Sequence, residues 1–228
     1  RIAKFLSQRT SLSRRKAEDA VLAGRVTVAG IKASVGQLVS DDDDVKLDGA
    51  RLPLRAAHVY ILFNKPAGYV VTKSDPKERK TIWKFLPEFK DSLDYAGRLD
   101  KDSEGLLVLT NDGDLIWRLT HPSMETRKTY MVWVDGKLTD RVVKRFVEGV
   151  ELSDGIARAV SARIVSPYLV ELTLTEGRNR EIRRMCNRMG LNVRRLVRSA
   201  IGDIKIDDLK AGHWRYLSPN DLKLLIKS

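Results

Sequence analysis

The spacing of apolar residues changes character near residue 51, so the chain must fold as two differently built segments. Before that point, Ile2, Phe5 and Leu6 repeat at helical spacing. A second helix follows, with the small packing residues Ala17, Ala20, Val21 and Ala23, a cap from Ser11 or Ser13 and a stop at Gly24. Residues 25–28 alternate like a strand, Ala29-Gly30 makes a turn, and a further strand over 45–47 closes the unit before Asp48-Gly49. Asp41, Asp42, Asp43 and Asp44 are consecutive. Four adjacent carboxylates cannot all face one ion, so they read as a solvated turn and not as a metal site. Residues 51–58 are short and polar, a linker between a unit at 1–50 and a larger one at 59–228.

The larger segment is rich in strands. An apolar run at 59–63 leads through the Pro/Gly turn of Asn64-Lys65-Pro66-Ala67-Gly68 into a second strand at 69–72. Further strands are expected at 106–109, 129–134 and 169–175. Leu115, Ile116 and Leu119 mark a helix that stops before Pro122, and Val142, Val143, Phe146 and Val147 mark one that Gly149 ends. A helix from about Asn179 has the stripe Ile182, Met185, Cys186 and Met189, and a last one begins at Ser218-Pro219 with Leu222, Leu225 and Ile226 inward. Many strands with a few helices, not strictly alternating, give an α+β fold.

Composition narrows the function. Lys and Arg number 42 against 30 Asp and Glu, a net charge of +12 that favours a polyanionic partner. No apolar run reaches membrane-spanning length and no signal segment is visible, so no membrane partner is expected. The chain starts at Arg1 and not Met, so a few residues are expected upstream. The single Cys186 allows no internal disulfide, which fits a reducing, cytoplasmic setting, or an organelle in a eukaryote. His58, His121 and His213 are far apart, and no metal is expected. Neither a GxxxxGK[ST] loop nor a GxGxxG fingerprint occurs, which argues against common nucleotide-driven chemistry.

Four clusters carry the chemistry. Arg14, Arg15 and Lys16 open the second helix and Arg25 follows it; they read as a phosphate-contacting helix end or as a solvated face. The run Ser13-Arg14-Arg15-Lys16-Ala17-Glu18, then Gly24-Arg25-Val26-Thr27-Val28, resembles the alpha-L RNA-binding domain over about residues 2–49. Ala29-Gly30 departs from the Asn-Gly often found there. Next, Ala96-Gly97-Arg98-Leu99-Asp100-Lys101-Asp102-Ser103-Glu104-Gly105 holds two carboxylates that also suit a glycosidase. Its text through Asp114 strongly resembles the Gly-Arg-Leu-Asp signature of pseudouridine synthases, in the branch acting on ribosomal RNA. Lys128-Thr129-Tyr130 and Leu119-Thr120-His121-Pro122 match that family too, with His121 read as structural. Finally, eight arginines lie between Gly177 and Arg198, among them Arg178, Arg180, Arg183, Arg184 and Arg188. Where the family usually has Gln before the Ile-Arg pair, this chain has Glu181.

The resemblance implies a mixed, mainly antiparallel catalytic sheet. It implies Asp100 as the reacting carboxylate, Tyr130 over the target base and Arg183 as the partner of Asp100. Arg98, Arg178, Arg180, Arg184 and Arg188 join Arg14, Arg15, Lys16 and Arg25 as expected RNA contacts. Asn64–Gly68 and Gly212–Leu217 read as scaffold, with Lys65 also able to reach a phosphate. Asp102 lies outside the signature, and its replacement by Asn is expected to be mild. The implied reaction is isomerisation of a uridine without a cofactor, by a monomer acting on ribosomal RNA or a ribosomal subunit precursor. The rival readings are a noncatalytic ribosome-assembly protein and a nucleoside glycosidase.

Overall fold

The computed structural model describes residues 1–10 and 12–226, and the chain divides into two compact units, 1–58 and 59–228. In the first, α1 (Ile2–Ser7) buries Ile2, Phe5 and Leu6, the residues at helical spacing. α2 (Arg14–Leu22) starts at Ser13, whose side chain accepts from the Lys16 N–H. Ser11, the alternative cap, lies outside the described residues. Ala17, Ala20 and Val21 face α1 and join Val26 and Val45 in a small apolar core. Four strands follow: β1 (Val26–Val28), β2 (Ile31–Lys32), β3 (Val45–Leu47) and β4 (Ala50–Arg51), in the order β2-β1-β3-β4.

β2 and β4 are not evident from the sequence, and β4 moves the edge of the unit. Asp48 and Gly49, both at positive φ, turn the chain so that Ala50 pairs with Leu47 and Arg51 with Lys46. Arg51 therefore belongs to the sheet and not to the linker. The acidic run disperses its charges: Asp41 pairs with Arg9, Asp43 accepts from Ser40, and Asp44 faces Lys46 and Arg51.

The larger unit begins with β5 (Tyr60–Lys65), β6 (Asp94–Ala96) and β7 (Glu104–Thr110), followed by α3 (Gly113–Thr120) and β8 (Lys128–Val134). Then come α4 (Asp140–Glu148), the hairpin β9 (Val150–Leu152) and β10 (Gly155–Ala157), β11 (Ser161–Ser166) and β12 (Leu169–Leu174). α5 (Glu181–Arg188), β13 (Val193–Ile201), β14 (Ile204–Lys205), β15 (Trp214–Tyr216) and α6 (Pro219–Ile226) complete it. Among the described residues the main sheet runs β11-β12-β8-β13-β7-β5-β15, with β14 beside β13 and β6 beside β7. Its strands pair antiparallel except β13 with β7.

Both faces of the sheet are covered at its centre, which explains the continuous apolar runs there. Ile61, Phe63, Leu107 and Leu109 face a large core that includes Phe146 of α4 and Ile182, Met185 and Cys186 of α5. Leu62, Leu106 and Val108 face a smaller one with Leu115 and Leu119 of α3 and Leu225 of α6. β8 and β12 bury alternate residues, and their period-2 pattern is legible in the sequence.

Two expectations fail locally, and one strand goes unread. Residues 69–72 form no strand; only Val70 bridges, to Thr81. Pro66 and Gly68 send the chain away from β5, and the N–H of Gly68 instead bonds the Lys101 carbonyl at 2.7 Å. Ile226 is exposed, because the short α6 turns Leu225 inward and Ile226 falls on its outer side. β13 is the strand the sequence conceals, since Arg194, Arg195 and Arg198 interrupt its apolar alternation.

The parallel junction between β7 and β13 depends on a residue without a side chain. Gly105 has φ +109°, and a Cβ there would stand 2.3 Å from the Arg198 carbonyl oxygen and 2.5 Å from its nitrogen. Both neighbours are backbone atoms, so neither can swing aside. Gly105→Ala is expected to cost on the order of 4 kcal/mol or more, through strain and strand separation. Thermal unfolding checks this: for a unit of this size Tm should fall by about 10 °C or more, and an unchanged Tm would show that the junction tolerates a side chain.

Candidate active site

The loop between β6 and β7, residues 97–103, carries both carboxylates of the signature. It is held from below by a buried lysine. Lys65, at the end of β5, is fully buried, and its ammonium donates to the carbonyls of Pro66 (3.0 Å), Lys101 (3.3 Å) and Ser103 (2.6 Å). The expected reach to RNA phosphate is therefore excluded: all three donors are used on the chain's own backbone. Burial lowers the Lys65 pKa from 10.5 to about 8, while the charges of Asp102, Glu104 and Asp100 oppose that fall. The loop closes with the Ser103 N–H on the Asp100 carbonyl at 3.1 Å. Leu99 is buried, whereas Arg98 is exposed and Asp100 half-buried.

The arginines arrive from the N-terminus of α5. Arg180 stands just before it in the left-handed region, φ 46° and ψ 35°. That strained backbone turns its guanidinium to the loop. It donates to both carboxylate oxygens of Asp102, at 3.1 and 3.2 Å, and lies 3.7 Å from Oδ2 of Asp100. Arg183, one turn on, also reaches Asp102: its Nη2 donates to the carbonyl at 3.0 Å and lies 3.2 Å from Oδ2. Its Nη1 donates to Val193, tying α5 to β13.

The expected Arg183–Asp100 pair is thus not made. Arg183 pairs with Asp102, and the cation beside Asp100 is Arg180. Partial burial alone raises the pKa of Asp102, but the Arg180 hydrogen bonds and the Arg183 charge outweigh it, leaving the carboxyl below its usual range. Asp102 is therefore the node that contacts both arginines.

Asp100 and Tyr130 line the same cleft, which encloses about 830 Å³. Tyr130 points into it from β8, where it pairs with Leu172 on one side and Arg198 on the other. Ile182 and Leu196 add an apolar wall, and Arg98, Arg178 and Arg180 stand around it. Glu181, the departure from the family pattern, is buried at the head of α5. It accepts the Arg178 N–H at 3.1 Å, and its other oxygen has no hydrogen-bond partner. Burial raises its pKa.

The remaining basic residues separate by what already holds them. Arg178 bonds Glu176 at 2.6 Å and the carbonyls of Asp154 and Ile156, so it clamps the β9–β10 hairpin. Arg184 makes a two-pronged bond to Asp154 at 2.8 and 2.9 Å. Arg188 is exposed and has no partner among the described residues. In the first unit, Arg25 is paired with Asp48 at 2.8 and 2.5 Å. Arg14, Arg15 and Lys16 are exposed in the first turn of α2, which holds no acidic residue. Cations there oppose the helix dipole by about 0.3–1 kcal/mol each.

Two shielded cations have buried surroundings that the sequence does not reveal, although Lys128 stands in the strand motif at 128–130. Arg198 is buried in β13, its Nε donating to the Leu106 carbonyl at 2.6 Å while one Nη has no partner. Lys128 donates to the carbonyls of Thr126 and Thr175, and burial, then the Arg198 charge, lowers its pKa to about 8. Arg198 in particular reads like the other arginines of 177–198.

The family model for RNA pseudouridylate synthase matches residues 59–188, and the S4 domain model matches residues 1–45. An uncharacterised RNA pseudouridine synthase of Aquifex aeolicus is 40% identical over all of this chain and 94% of its own length. The dual-specificity RNA pseudouridine synthase RluF of Escherichia coli (strain K12) is 34% identical over all of this chain and 78% of its own. A crystal structure of a pseudouridylate synthase superposes with TM-score 0.74 at 30% identity, covering 99% of both chains.

The lowered Lys65 pKa has a thermodynamic consequence. Between pH 8 and 10.5 the unfolded chain still binds a proton at Lys65 that the folded chain has released. Stability from this group therefore rises with pH across that window. Lys128 acts in the same direction. Lys65→Met should flatten the rise of Tm with pH over this range, roughly halving the share due to the two lysines. Identical slopes in wild type and variant would refute the lowered pKa of Lys65.

Proposed function

The chain belongs to the RNA pseudouridylate synthase family, and from that premise we propose that it isomerises a uridine of ribosomal RNA at Asp100. The supporting observation is the shared cleft: Asp100 and Tyr130 line it together, and a guanidinium stands 3.7 Å from the Asp100 carboxylate. The reaction breaks the bond from ribose carbon 1′ to uracil nitrogen 1 and makes one from carbon 1′ to carbon 5. A proton leaves carbon 5 and nitrogen 1 gains one, so atoms balance within the substrate and no redox partner is needed.

Each group has a part that its position supports. An ionised carboxylate beside carbon 1′ attacks it, stabilises its positive charge or takes the 2′ proton. Arg180 supplies the opposite charge next to Asp100. Arg183 and Asp102 set the loop and Arg180 in register, so they position rather than react. The Tyr130 ring offers a face for the flipped uracil, and its hydroxyl is assigned to help remove the carbon 5 proton. A buried uridine must leave its stack to enter such a cleft. Arg14, Arg15 and Lys16 contact RNA phosphate, which accounts for cations held against the helix dipole. The S4 domain and the net charge of +12 support an RNA substrate, and the resemblance around Asp100 to the branch acting on ribosomal RNA narrows it to ribosomal RNA or a subunit precursor. We take the enzyme to be a cytoplasmic monomer that uses no cofactor. The buried Cys186 thiol, pushed up to about 12, takes no part.

Asp100→Asn keeps shape but removes charge, and single-turnover pseudouridine formation should fall by several orders of magnitude while RNA binding persists. Conversion at the normal rate would move the chemistry elsewhere. Binding without conversion by the wild type would point to a noncatalytic assembly protein, and free uracil to a glycosidase. Asp102→Asn should lower the rate about tenfold or more by releasing Arg180 and Arg183.

A separate expectation concerns the first unit. Replacing Arg14, Arg15 and Lys16 together by Ala should weaken binding to many RNA sequences alike. The slope of log affinity against log salt should become shallower by about 0.7 for each phosphate of single-stranded RNA that the variant no longer neutralises. An unchanged slope would mean that these cations only face solvent.

A further inference from the structure

Beside the active cleft, α5 helps to enclose a second concavity of about 350 Å³. Arg180, Arg183, Arg184, Asn187 and Arg188 line it, facing the end of β9. Helical periodicity puts Arg184 and Arg188, at i and i+4, on one face of α5, and Arg180 joins them from its left-handed position just before the helix. Four guanidiniums meet here, and three carboxylates answer them. Asp100 and Asp102 take up Arg180 and Arg183, and Asp154 takes up Arg184. Arg188 is the surplus charge, exposed and without a partner among the described residues. Four guanidiniums against three carboxylates leave one positive charge in excess at the pocket.

We infer that this pocket seats a backbone phosphodiester of the RNA close to the target uridine, with Arg188 as its principal donor. The inference rests on the reading that the substrate is RNA. An arginine fork matches two oxygens of a phosphate, and the volume admits a phosphate with its ribose. No aromatic ring lines the pocket, so nothing there would stack a base; this favours backbone over nucleobase. Arg180 lines both this pocket and the cleft. The bound linkage must therefore lie next to the nucleotide presented to Asp100. Capture of the strand and the charge beside Asp100 share one guanidinium.

The test uses the full chain and a set of short RNA substrates, each with one uncharged methylphosphonate linkage at a different position around the target. Affinity is measured at several salt concentrations for wild type and Arg188→Ala, whose exposed side chain can be removed without touching a core. With all-phosphate RNA, Arg188→Ala should weaken binding roughly threefold to tenfold and make the salt slope shallower by about 0.7. At one linkage near the target, the methylphosphonate should weaken the wild type by a similar factor and leave Arg188→Ala unaffected. Arg188→Lys, which keeps charge but loses the fork, should fall between the two. The proposal is overturned if no linkage couples to Arg188. It is also overturned if inorganic phosphate or uridine monophosphate binds the wild type and is lost in Arg188→Ala while RNA affinity stays the same, since the pocket would then serve a free anion. Pseudouridine formation on the all-phosphate RNA is scored separately. Conversion without coupling removes only the phosphodiester pocket, and coupling without conversion removes only the isomerase reading.

Discussion

The ammonium of Lys65 is the point from which the site is built. Its three hydrogen bonds run to Pro66, Lys101 and Ser103, and so join the end of β5 to the loop that carries Asp100 and Asp102. A charged group in a fully buried position is tolerated only when its donors are met. Here the acceptors are backbone carbonyls, so the loop must hold its shape to keep the lysine satisfied. The Gly68 N–H on the Lys101 carbonyl adds a fourth tie from the same turn. The carboxylates are thus presented on a loop with little freedom.

The sheet contributes the second constraint. β7 leaves that loop and runs parallel to β13, with Gly105 against the backbone of Arg198. Because β13 also pairs with β8, this close approach sets Tyr130 beside the loop. α5 then packs Ile182, Met185 and Cys186 into the large core, which fixes the helix's rotation and therefore the direction of Arg180 and Arg183. Packing on one face of α5 determines electrostatics on the other.

The charges form a ladder and not isolated pairs. Asp102 accepts from Arg180 and Arg183, while Asp154 holds Arg184 and lies near Arg178. Bidentate, partly shielded pairs of this kind orient guanidiniums more firmly than single exposed bridges do. Paired arginines shape the walls of the cleft, while Arg188 and the α2 cations stand exposed. A count of basic residues does not make that distinction.

Local physics put several features within reach of the sequence. Ile2, Phe5 and Leu6 at helical spacing, Ser13 as a cap, the period-2 burial of β8 and β12 and the apolar stripe of α5 follow from side-chain periodicity and backbone hydrogen bonding. The run around Asp100, with Tyr130 and the arginine-rich helix, carried the family resemblance without any tertiary knowledge. Side-chain partners across long separations were a different matter. Lys65 reads as a surface cation until β5 is seen beneath the loop, and Arg183 reads as the partner of Asp100 until α5 is rotated by its core packing toward Asp102. Asp102, Arg180 and Arg198 gained their places in the same way. The reason is physical: periodicity fixes which face of an element is buried, but a charged group's partner depends on distances of about an ångström between segments up to 92 residues apart, and only the packed sheet sets those.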